Sequence, residues 1–142
     1  MEKVLELLRK NRVMCIATCS KDKPRSSILE YVMVGDSMIF MTDPRTIKAA
    51  NIEKNPKVSL TVMESEPGAK LEELLYVAID GTAVKASAKK VSAYNTVLFQ
   101  RYPEFKAFIE SGAMNNVYYE VKFRTAWYSV GMAPAEMIKM KK

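Results

Sequence analysis

The chain has 142 residues, of which 49% are hydrophobic and 27% are charged, with 22 lysine and arginine residues against 16 acidic ones. This length and balance are typical of a single globular domain with its own core, spanning residues 1–142. They exclude a disordered chain, a fibrous repeat and a disulfide scaffold. The formal net charge of +6 suits a phosphate-bearing partner, but it does not distinguish a nucleic acid, a membrane surface or a nucleotide cofactor.

The sequence contains no histidine. It therefore cannot use Ser-His-Asp or Cys-His catalysis, ligate heme through imidazole or form the usual zinc hydrolase site, and we predict no metal site. Cys15 and Cys19 lie on one predicted strand about 13 Å apart, too far for a disulfide. Two such thiols indicate a reducing compartment. Because we find no targeting or membrane-spanning segment either, we expect a cytoplasmic protein.

The N-terminal part of the chain predicts one helix followed by three strands. Apolar side chains recur at helical spacing in residues 2–11, which predicts an amphipathic helix. The strands that follow are joined by short polar turns, as in an antiparallel meander. They cover residues 12–19, 25–34 and 37–42.

A second helix and a fourth strand are predicted next. Asp43 can cap a helix that has Pro44 at its first position, where a missing N–H costs nothing. The helix runs to about Lys54. Pro56 ends it, because proline forces the residue before it into an extended conformation. Residues 57–63 then form the fourth strand.

The remaining elements begin after an acidic loop over residues 64–73. Residues 74–85 predict a fifth strand, in which Gly81 marks a bulge or a close backbone approach. Ser87 can cap a helix that runs through Arg101. The rest of the chain predicts a short helix ending at Gly112, a strand over 117–123, a further strand over 125–130 after a bend, and a basic tail, MIKMKK, that frays.

Six or seven strands, mostly in hairpins, with three or four helices between them predict a mainly β protein built as an antiparallel barrel. Basic residues cluster around two turns of the first third, KDKPR and DPRTIK. No basic run is interleaved with aromatic side chains, as a groove for nucleic acid requires. We therefore expect a compact anion site, with no nucleic acid and no membrane as partner.

Cationic and hydroxyl side chains are predicted to meet near the start of the second helix. The segment Arg25–Ser27 begins the second strand, Thr42 ends the third strand, and Thr46 and Lys48 lie in the helix that follows. In an antiparallel meander the start of one strand lies near the end of the next. Two cations, several hydroxyl groups and the free N–H groups of a helix N-terminus suit a phosphate dianion.

The run KDKPRSSILEYVMVGDSMIFMTDPRTIKAANIEKNPKVSL resembles the flavin-binding split-barrel family, the pyridoxamine 5′-phosphate oxidase-like superfamily. The shared features are the KDKPR turn, the strand that opens with hydroxyl residues, the IFMT strand and the pattern T-x-K-x-x-N-x-x-x-N-P-x-V-S-L. The later segment YVAIDGTAV resembles the family's strand with a G-x-A step. The resemblance covers residues 3–85 well and the remainder loosely.

The resemblance implies a split β-barrel that binds FMN non-covalently and forms a homodimer with the cofactor at its interface. It implies that nine residues contact the phosphate, the ribityl chain or the ring. They are Arg25, Ser26, Ser27, Ile28, Met41, Thr42, Thr46, Ile47 and Lys48. Tyr76 occupies a position from which relatives offer a fifth-strand side chain. Trp127 is the candidate for an aromatic group supplied by the other protomer.

The resemblance predicts an FMN-dependent oxidoreductase, whose substrate the sequence does not identify. The absence of histidine and the short C-terminus argue against pyridoxamine phosphate oxidase activity itself, and no side chain is an evident general acid or base. Two alternatives stay open. One is an FMN-binding electron carrier without its own substrate, and the other is a relative that binds the deazaflavin F420. A nucleic-acid-binding barrel is a more distant hypothesis.

Overall fold

The computed structural model describes residues 1–64 and 67–139, in which eight strands form one antiparallel sheet with four α-helices around it. The strands are β1 (Val13–Ser20), β2 (Lys23–Glu30), β3 (Val32–Val34), β4 (Ser37–Thr42), β5 (Lys57–Glu64), β6 (Leu75–Lys85), β7 (Val117–Val130) and β8 (Glu136–Lys139). The helices are α1 (Glu2–Lys10), α2 (Ile47–Lys54), α3 (Ala88–Arg101) and α4 (Phe105–Glu110). The predicted fold class, a mainly β antiparallel split barrel with flanking helices, is confirmed.

The order of the strands shows how the sheet closes. Its main path is β2-β1-β5-β6-β7-β4-β3, and β8 pairs with β7. β2 and β3 stand at opposite ends of this path, yet only Tyr31 separates them in the chain. The sheet must therefore curl until its two ends approach each other at Tyr31, and a barrel results.

The predicted second strand, residues 25–34, is divided in two at Tyr31. The buried Tyr31 hydroxyl donates to the carbonyl oxygen of Leu8 at 2.7 Å, and its backbone N–H donates to the carbonyl of Arg12 at 2.8 Å. These bonds hold the chain to the end of α1 and redirect it from β2 into β3. The predicted meander is therefore wrong in part: β1–β2 and β3–β4 are hairpins, but no single strand joins them, because β2 and β3 lie at opposite ends of the main path of the sheet.

The core fills the barrel and continues under α1 and α2. Side chains alternate between inside and outside along the strands, most regularly in β5. Leu8 of α1 and Ile52 of α2 join the same cluster of buried residues. The largest fully buried side chains include Tyr31, Tyr119, Phe40, Met14 and Ile16. Packing of Ile52 into this core holds one side of α2 against the barrel.

α2 begins later than predicted, at Ile47. Thr46 is its N-cap, and the Thr46 side chain accepts a hydrogen bond from the backbone N–H of Ala49. The predicted cap, Asp43, is wrong because its carboxylate binds the backbone N–H and the guanidinium of Arg45 instead. The segment before Thr46 is consequently a turn and not the first helical turn.

β7 is one long strand where two were predicted, and the predicted bend is a bulge. The register with β6 shifts between Asp80 and Gly81, which leaves Arg124 as an extra residue on β7. A Cβ atom on Gly81 would lie 2.4 Å from the carbonyl oxygen of Lys122. The prediction that Gly81 marks a bulge and a close backbone approach is confirmed.

α3 covers the face of β3 and β4 that points away from the barrel. Ser87 caps it as predicted, because the Ser87 hydroxyl oxygen accepts the backbone N–H of Lys90. Tyr94 and Leu98 pack with Ile39 in a second, smaller cluster of buried residues.

The tail predicted to fray is a strand over part of its length, since β8 pairs with β7 through residue 139. Positions 140–142 lie outside the described residues, as do Ser65 and Glu66 of the predicted acidic loop. Among the residues that are described, none of the helices has the length and apolar composition needed to cross a membrane.

Candidate functional site

A cleft of about 340 Å³ lies between the β1–β2 hairpin and one side of α2. It is lined by Ser20, Lys21, Lys23, Pro24 and Arg25 of the hairpin and by Ile47, Asn51 and Lys54 of the helix. Four of these residues are cationic and none is acidic. The positive charge of this lining therefore favours the binding of an anion.

Two asparagines of the N-x-x-x-N-P motif hold α2 against β1. The Asn51 amide donates to the hydroxyl oxygen of Thr18 at 3.1 Å, and the Asn55 amide donates to the carbonyl oxygen of Cys19 at 3.1 Å. Because Thr18 and Cys19 lie beside the hairpin turn, these bonds set the distance between hairpin and helix. The motif that carries the resemblance thus has a structural task, which is to position α2.

The N-terminus of α2 offers two backbone N–H groups to a ligand. The Thr46 hydroxyl donates to the carbonyl oxygen of Asp43 at 2.8 Å and accepts the Ala49 N–H at 3.4 Å. The N–H groups of Ile47 and Lys48 have no acceptor within the part of the chain that the structure describes. Such N–H groups, together with the helix dipole, attract anions.

The carboxylate nearest to this helix start is neutralised within the chain. Asp43 accepts hydrogen bonds from the guanidinium of Arg45 at 2.6 Å and from its backbone N–H at 2.8 Å. These bonds, assisted by the charge of Lys48, lower the pKa of Asp43 to about 2. Asp43 is therefore ionised and paired at neutral pH. Lys48 itself is the second residue of α2.

The predicted residues of β2 divide between the two faces of the sheet. Arg25 and Ser27 share the face of Thr18, which packs toward α2, whereas Ser26 and Ile28 point to the opposite face. β2 also ends the main path of the sheet. One edge of its backbone therefore has no neighbouring strand among the described residues, and its N–H and C=O groups on that edge can bind a ligand.

A larger cavity of about 720 Å³ lies beyond the end of β4. Its lining comprises Met41, Thr42, Asp43, Pro44, Arg45 and residues 113–116. The hydroxyl oxygens of Thr42 and Thr46 lie 3.2 Å apart, so this cavity adjoins the start of α2. The predicted residues Met41 and Thr42 thus line this cavity. Arg25 and Ile47 line the first cleft, between the β1–β2 hairpin and α2, which we call the basic cleft.

Tyr76 and Trp127 lie on the face of the sheet that points away from the core, called the outer face here. On this face the strand register aligns Trp127 in one row of side chains that crosses six strands. The row consists of Ile28, Cys15, Thr61, Ala78, Trp127 and Met137. Trp127 stands four strands away from β2, about 19 Å across the sheet. Within one chain the structure therefore does not bring Tyr76 or Trp127 together with Arg25.

Several lining residues were not predicted from the sequence. Charge clustering in KDKPR pointed toward Lys21 and Lys23, but the part played by Lys54 depends on α2 lying beside the hairpin. Residues 113–116 carry no motif, and only the pairing of β4 with β7 brings them to the larger cavity.

The chain belongs to the pyridoxamine 5′-phosphate oxidase family, whose family model matches residues 1–129. The match includes α1, α2 and all but the last residue of β7, so it contains both the basic cleft and the larger cavity. The resemblance identified from the KDKPR turn and the N-x-x-x-N-P motif is thereby confirmed. A search of curated protein sequences finds no significant match.

Solved structures with the same fold differ widely from this chain in sequence. A heme-binding protein from Mycobacterium smegmatis has a TM-score of 0.80 at 13% identity, over 96% of this chain and 57% of its own. The heme storage protein HutZ from Vibrio cholerae has a TM-score of 0.72 at 17% identity, over 92% and 93%. A FAD-binding protein from Mesorhizobium loti has a TM-score of 0.69 at 18% identity, over 88% and 90%. At such low sequence identities, these similarities show that the fold is shared and show nothing about function.

Proposed function

We propose that this chain binds FMN and acts as a flavin-dependent oxidoreductase. The observation that carries the proposal is the basic cleft, in which Arg25 and the first residue of α2, Ile47, line one space. FMN ends in a phosphate dianion, and a cation beside a helix N-terminus provides the donors that bind such a group. Membership in the pyridoxamine 5′-phosphate oxidase family supports a flavin as the ligand.

The residues present fit the phosphate end of FMN. Arg25 lines the cleft from β2, and Ile47 lines it from the start of α2. Lys48 follows in the first turn of the helix, and we propose that its ammonium turns toward the phosphate and that the N–H groups of Ile47 and Lys48 complete the donor set. Thr46 already donates its hydroxyl proton to Asp43, so we assign it the role of fixing the helix start. The exposed backbone edge of β2 at Ser27 and Ile28 would contact the edge of the flavin ring.

The larger cavity favours an enzyme over an electron carrier. Bound FMN would supply hydride or one-electron chemistry, and the chain would bind and orient it. A carrier needs no space for a second molecule, whereas the cavity of about 720 Å³ beside Met41 and Thr42 has the size of a small-molecule site. We propose that the substrate enters there.

We propose further that two copies of the chain pair through the outer face of the sheet. Ile28 is 76% exposed, and Met63 and Met137 are each more than half exposed on the same face. Several exposed apolar side chains on one face of a sheet are typical of an interaction surface. Because Trp127 is remote from the cleft of its own chain, it would reach a flavin only from a second copy.

Other cofactors are less well supported by the residues present. Two of the similar structures belong to heme proteins, but a chain without histidine would need another kind of iron ligand. The deazaflavin F420 also ends in anionic groups and stays an alternative. Pyridoxamine phosphate oxidation is not proposed. The free thiols of Cys15 and Cys19 support a cytoplasmic location.

The test is FMN titration of the purified protein, followed by flavin fluorescence and absorbance. The wild type should bind FMN, and Arg25→Gln and Lys48→Gln should each weaken binding by about tenfold, since each removes a charge-assisted hydrogen bond. Lys89→Gln, at an exposed position of α3, is the matched control for net charge. A protein that is colourless as purified and takes up no FMN would contradict the proposal.

Analytical ultracentrifugation tests the pairing of two copies. Ile28→Asp places a charge on the outer face without touching the core, and it should convert a dimer into a monomer with unchanged circular dichroism. A wild-type protein that sediments as a monomer at micromolar concentration would refute the pairing.

A further inference from the structure

The larger cavity, beyond the end of β4, differs from the basic cleft in its charge. Nine described residues line it, and among these only Asp43 and Arg45 are charged. The Arg45 guanidinium donates to both carboxylate oxygens of Asp43, from Nε at 3.0 and 3.1 Å and from a terminal nitrogen at 2.6 Å. The described lining therefore carries no net charge, and its one cation and one anion are already paired with each other.

This ion pair keeps its charges at neutral pH. Hydrogen bonds from Arg45 lower the pKa of Asp43 to about 2, and the carboxylate in turn raises the pKa of the guanidinium. A charged molecule that enters the cavity gives up water and finds no unpaired counter-charge in the described lining. Burying a charge on those terms is unfavourable, whichever sign the charge has.

Uncharged hydrogen-bonding groups make up the rest of the polar lining. The side-chain amides of Asn115 and Asn116 bind no other group in the part of the chain that the structure describes, so each can both donate and accept. The Thr46 hydroxyl donates its one proton to the Asp43 carbonyl, so in its 3.2 Å contact with Thr42 the Thr42 hydroxyl is the donor. The Thr42 oxygen can then accept a further hydrogen bond. Such groups match the carbonyl and amide groups of a neutral ligand.

Two methionines supply apolar surface to the same cavity. Met41 is half-buried near the end of β4, and Met114, which is 37% exposed, lies in the segment between α4 and β7. Thioether side chains are flexible and polarisable, and they pack well against aromatic rings. Apolar surface with a few polar groups is typical of sites that bind small molecules.

We propose that the larger cavity selects an uncharged, ring-containing substrate that carries carbonyl or amide groups and has no phosphate, carboxylate or ammonium. The inference rests on the proposed function, since that function makes this cavity the substrate site. The two sites then divide the recognition: the basic cleft binds the anionic end of the cofactor, and the larger cavity binds a neutral molecule. Asn115 and Asn116 determine the specificity through their amide groups.

The experiment compares three ligands that share one ring system and differ in charge: naphthamide, naphthoate and naphthylmethylammonium. Their affinities for the purified protein are measured by calorimetry at neutral pH, with saturating FMN and without it. Naphthamide should bind about tenfold more tightly than either charged ligand. The double variant Asn115→Ala with Asn116→Ala should bind naphthamide about tenfold more weakly, because it removes two hydrogen-bonding groups, and its circular dichroism should match that of the wild type.

Two single variants release the two charges of the ion pair in turn. Asp43→Asn keeps an acceptor for the backbone N–H of Arg45 and frees the guanidinium, so naphthoate should gain about fivefold relative to naphthamide. Arg45→Gln frees the carboxylate, so naphthylmethylammonium should gain by a similar factor; the Arg45 side chain is 88% exposed, and its loss leaves the core intact. Asp36→Asn, which takes one partner from Arg9 outside the cavity, is the matched control and should change neither ratio.

Three results would overturn the inference: a charged ligand binding as tightly as naphthamide, binding of none of the three, or affinity ratios that Asp43→Asn and Arg45→Gln leave unchanged. The measurements with and without FMN separate it from the proposed function. If FMN does not bind and the asparagine-dependent preference for naphthamide persists, the proposed function fails and the assignment of this cavity to uncharged ligands stands. If FMN binds and the preference is absent, the reverse holds.

Discussion

Gly81 gives the sharpest test of how the barrel is built. In Gly81→Ala the new Cβ would lie 2.4 Å from the carbonyl oxygen of Lys122 and 3.1 Å from a methyl carbon of Val121. The first contact involves backbone, so β6 and β7 must separate by close to 1 Å at the bulge. We expect about 3 kcal/mol of destabilisation, from overpacking together with a weakened ladder hydrogen bond.

The measurement is thermal unfolding followed by circular dichroism. An unfolding entropy of about 2.1 cal/mol/K per residue means that 3 kcal/mol lowers Tm by about 10 °C in a chain of this length. Gly35→Ala is the matched control, because a Cβ at Gly35 meets nothing within 4 Å and only its φ of +62° is unfavourable. That control should lose about 1 kcal/mol, or about 3 °C. Equal Tm values for the two variants would refute the role assigned to the bulge.

Two further predictions concern buried polar contacts. Glu120 is buried, and burial raises its pKa, but hydrogen bonds from Lys122 at 2.8 Å and Lys90 at 2.7 Å outweigh this and lower the pKa. The ionised Glu120 therefore stabilises the fold above the ordinary glutamate pKa, and this stabilisation is lost as pH falls through the lower pKa of the folded state. In urea unfolding, Glu120→Gln should be less stable than wild type at pH 7. The difference in unfolding free energy should shrink below about pH 4.5. A constant difference between pH 7 and pH 3 would contradict this assignment. Asn55→Ala removes the hydrogen bond to the Cys19 carbonyl and should lower the free energy of unfolding by about 1–2 kcal/mol in the same assay. Because this bond positions α2, the variant should also bind FMN more weakly. Unchanged stability would show that the asparagine does not anchor α2.

The elements that short-range chemistry encodes were predictable from the sequence. Alternation of apolar and polar residues located most strands, and Ser87 marked the start of α3 because a helix cap depends on neighbours within one turn. Gly81 predicted the position of the bulge, because residues with a side chain rarely permit such close backbone contact. The family also followed from local motifs, and the basic turn KDKPR pointed to an anion site. These features need no knowledge of distant segments.

The start of α2 was misplaced because two local chemistries compete there. Asp43 and Thr46 are both good caps, and Arg45 decides between them by binding the carboxylate of Asp43. The contents of the site were only partly predictable. Arg25 and Ile47 do share a cleft, but Lys54 joins them only because the asparagines dock α2 against the hairpin.

The sequence by itself thus determined the kind of elements, their caps and the family of the protein. Only the tertiary structure decided that β4 pairs with β7, that residues 113–116 close the larger cavity, and that Trp127 lies on the outer face far from Arg25. The physical reason is that strand pairing joins residues distant in the chain. The partner of a strand is chosen by the packing of the whole core, which no local pattern encodes.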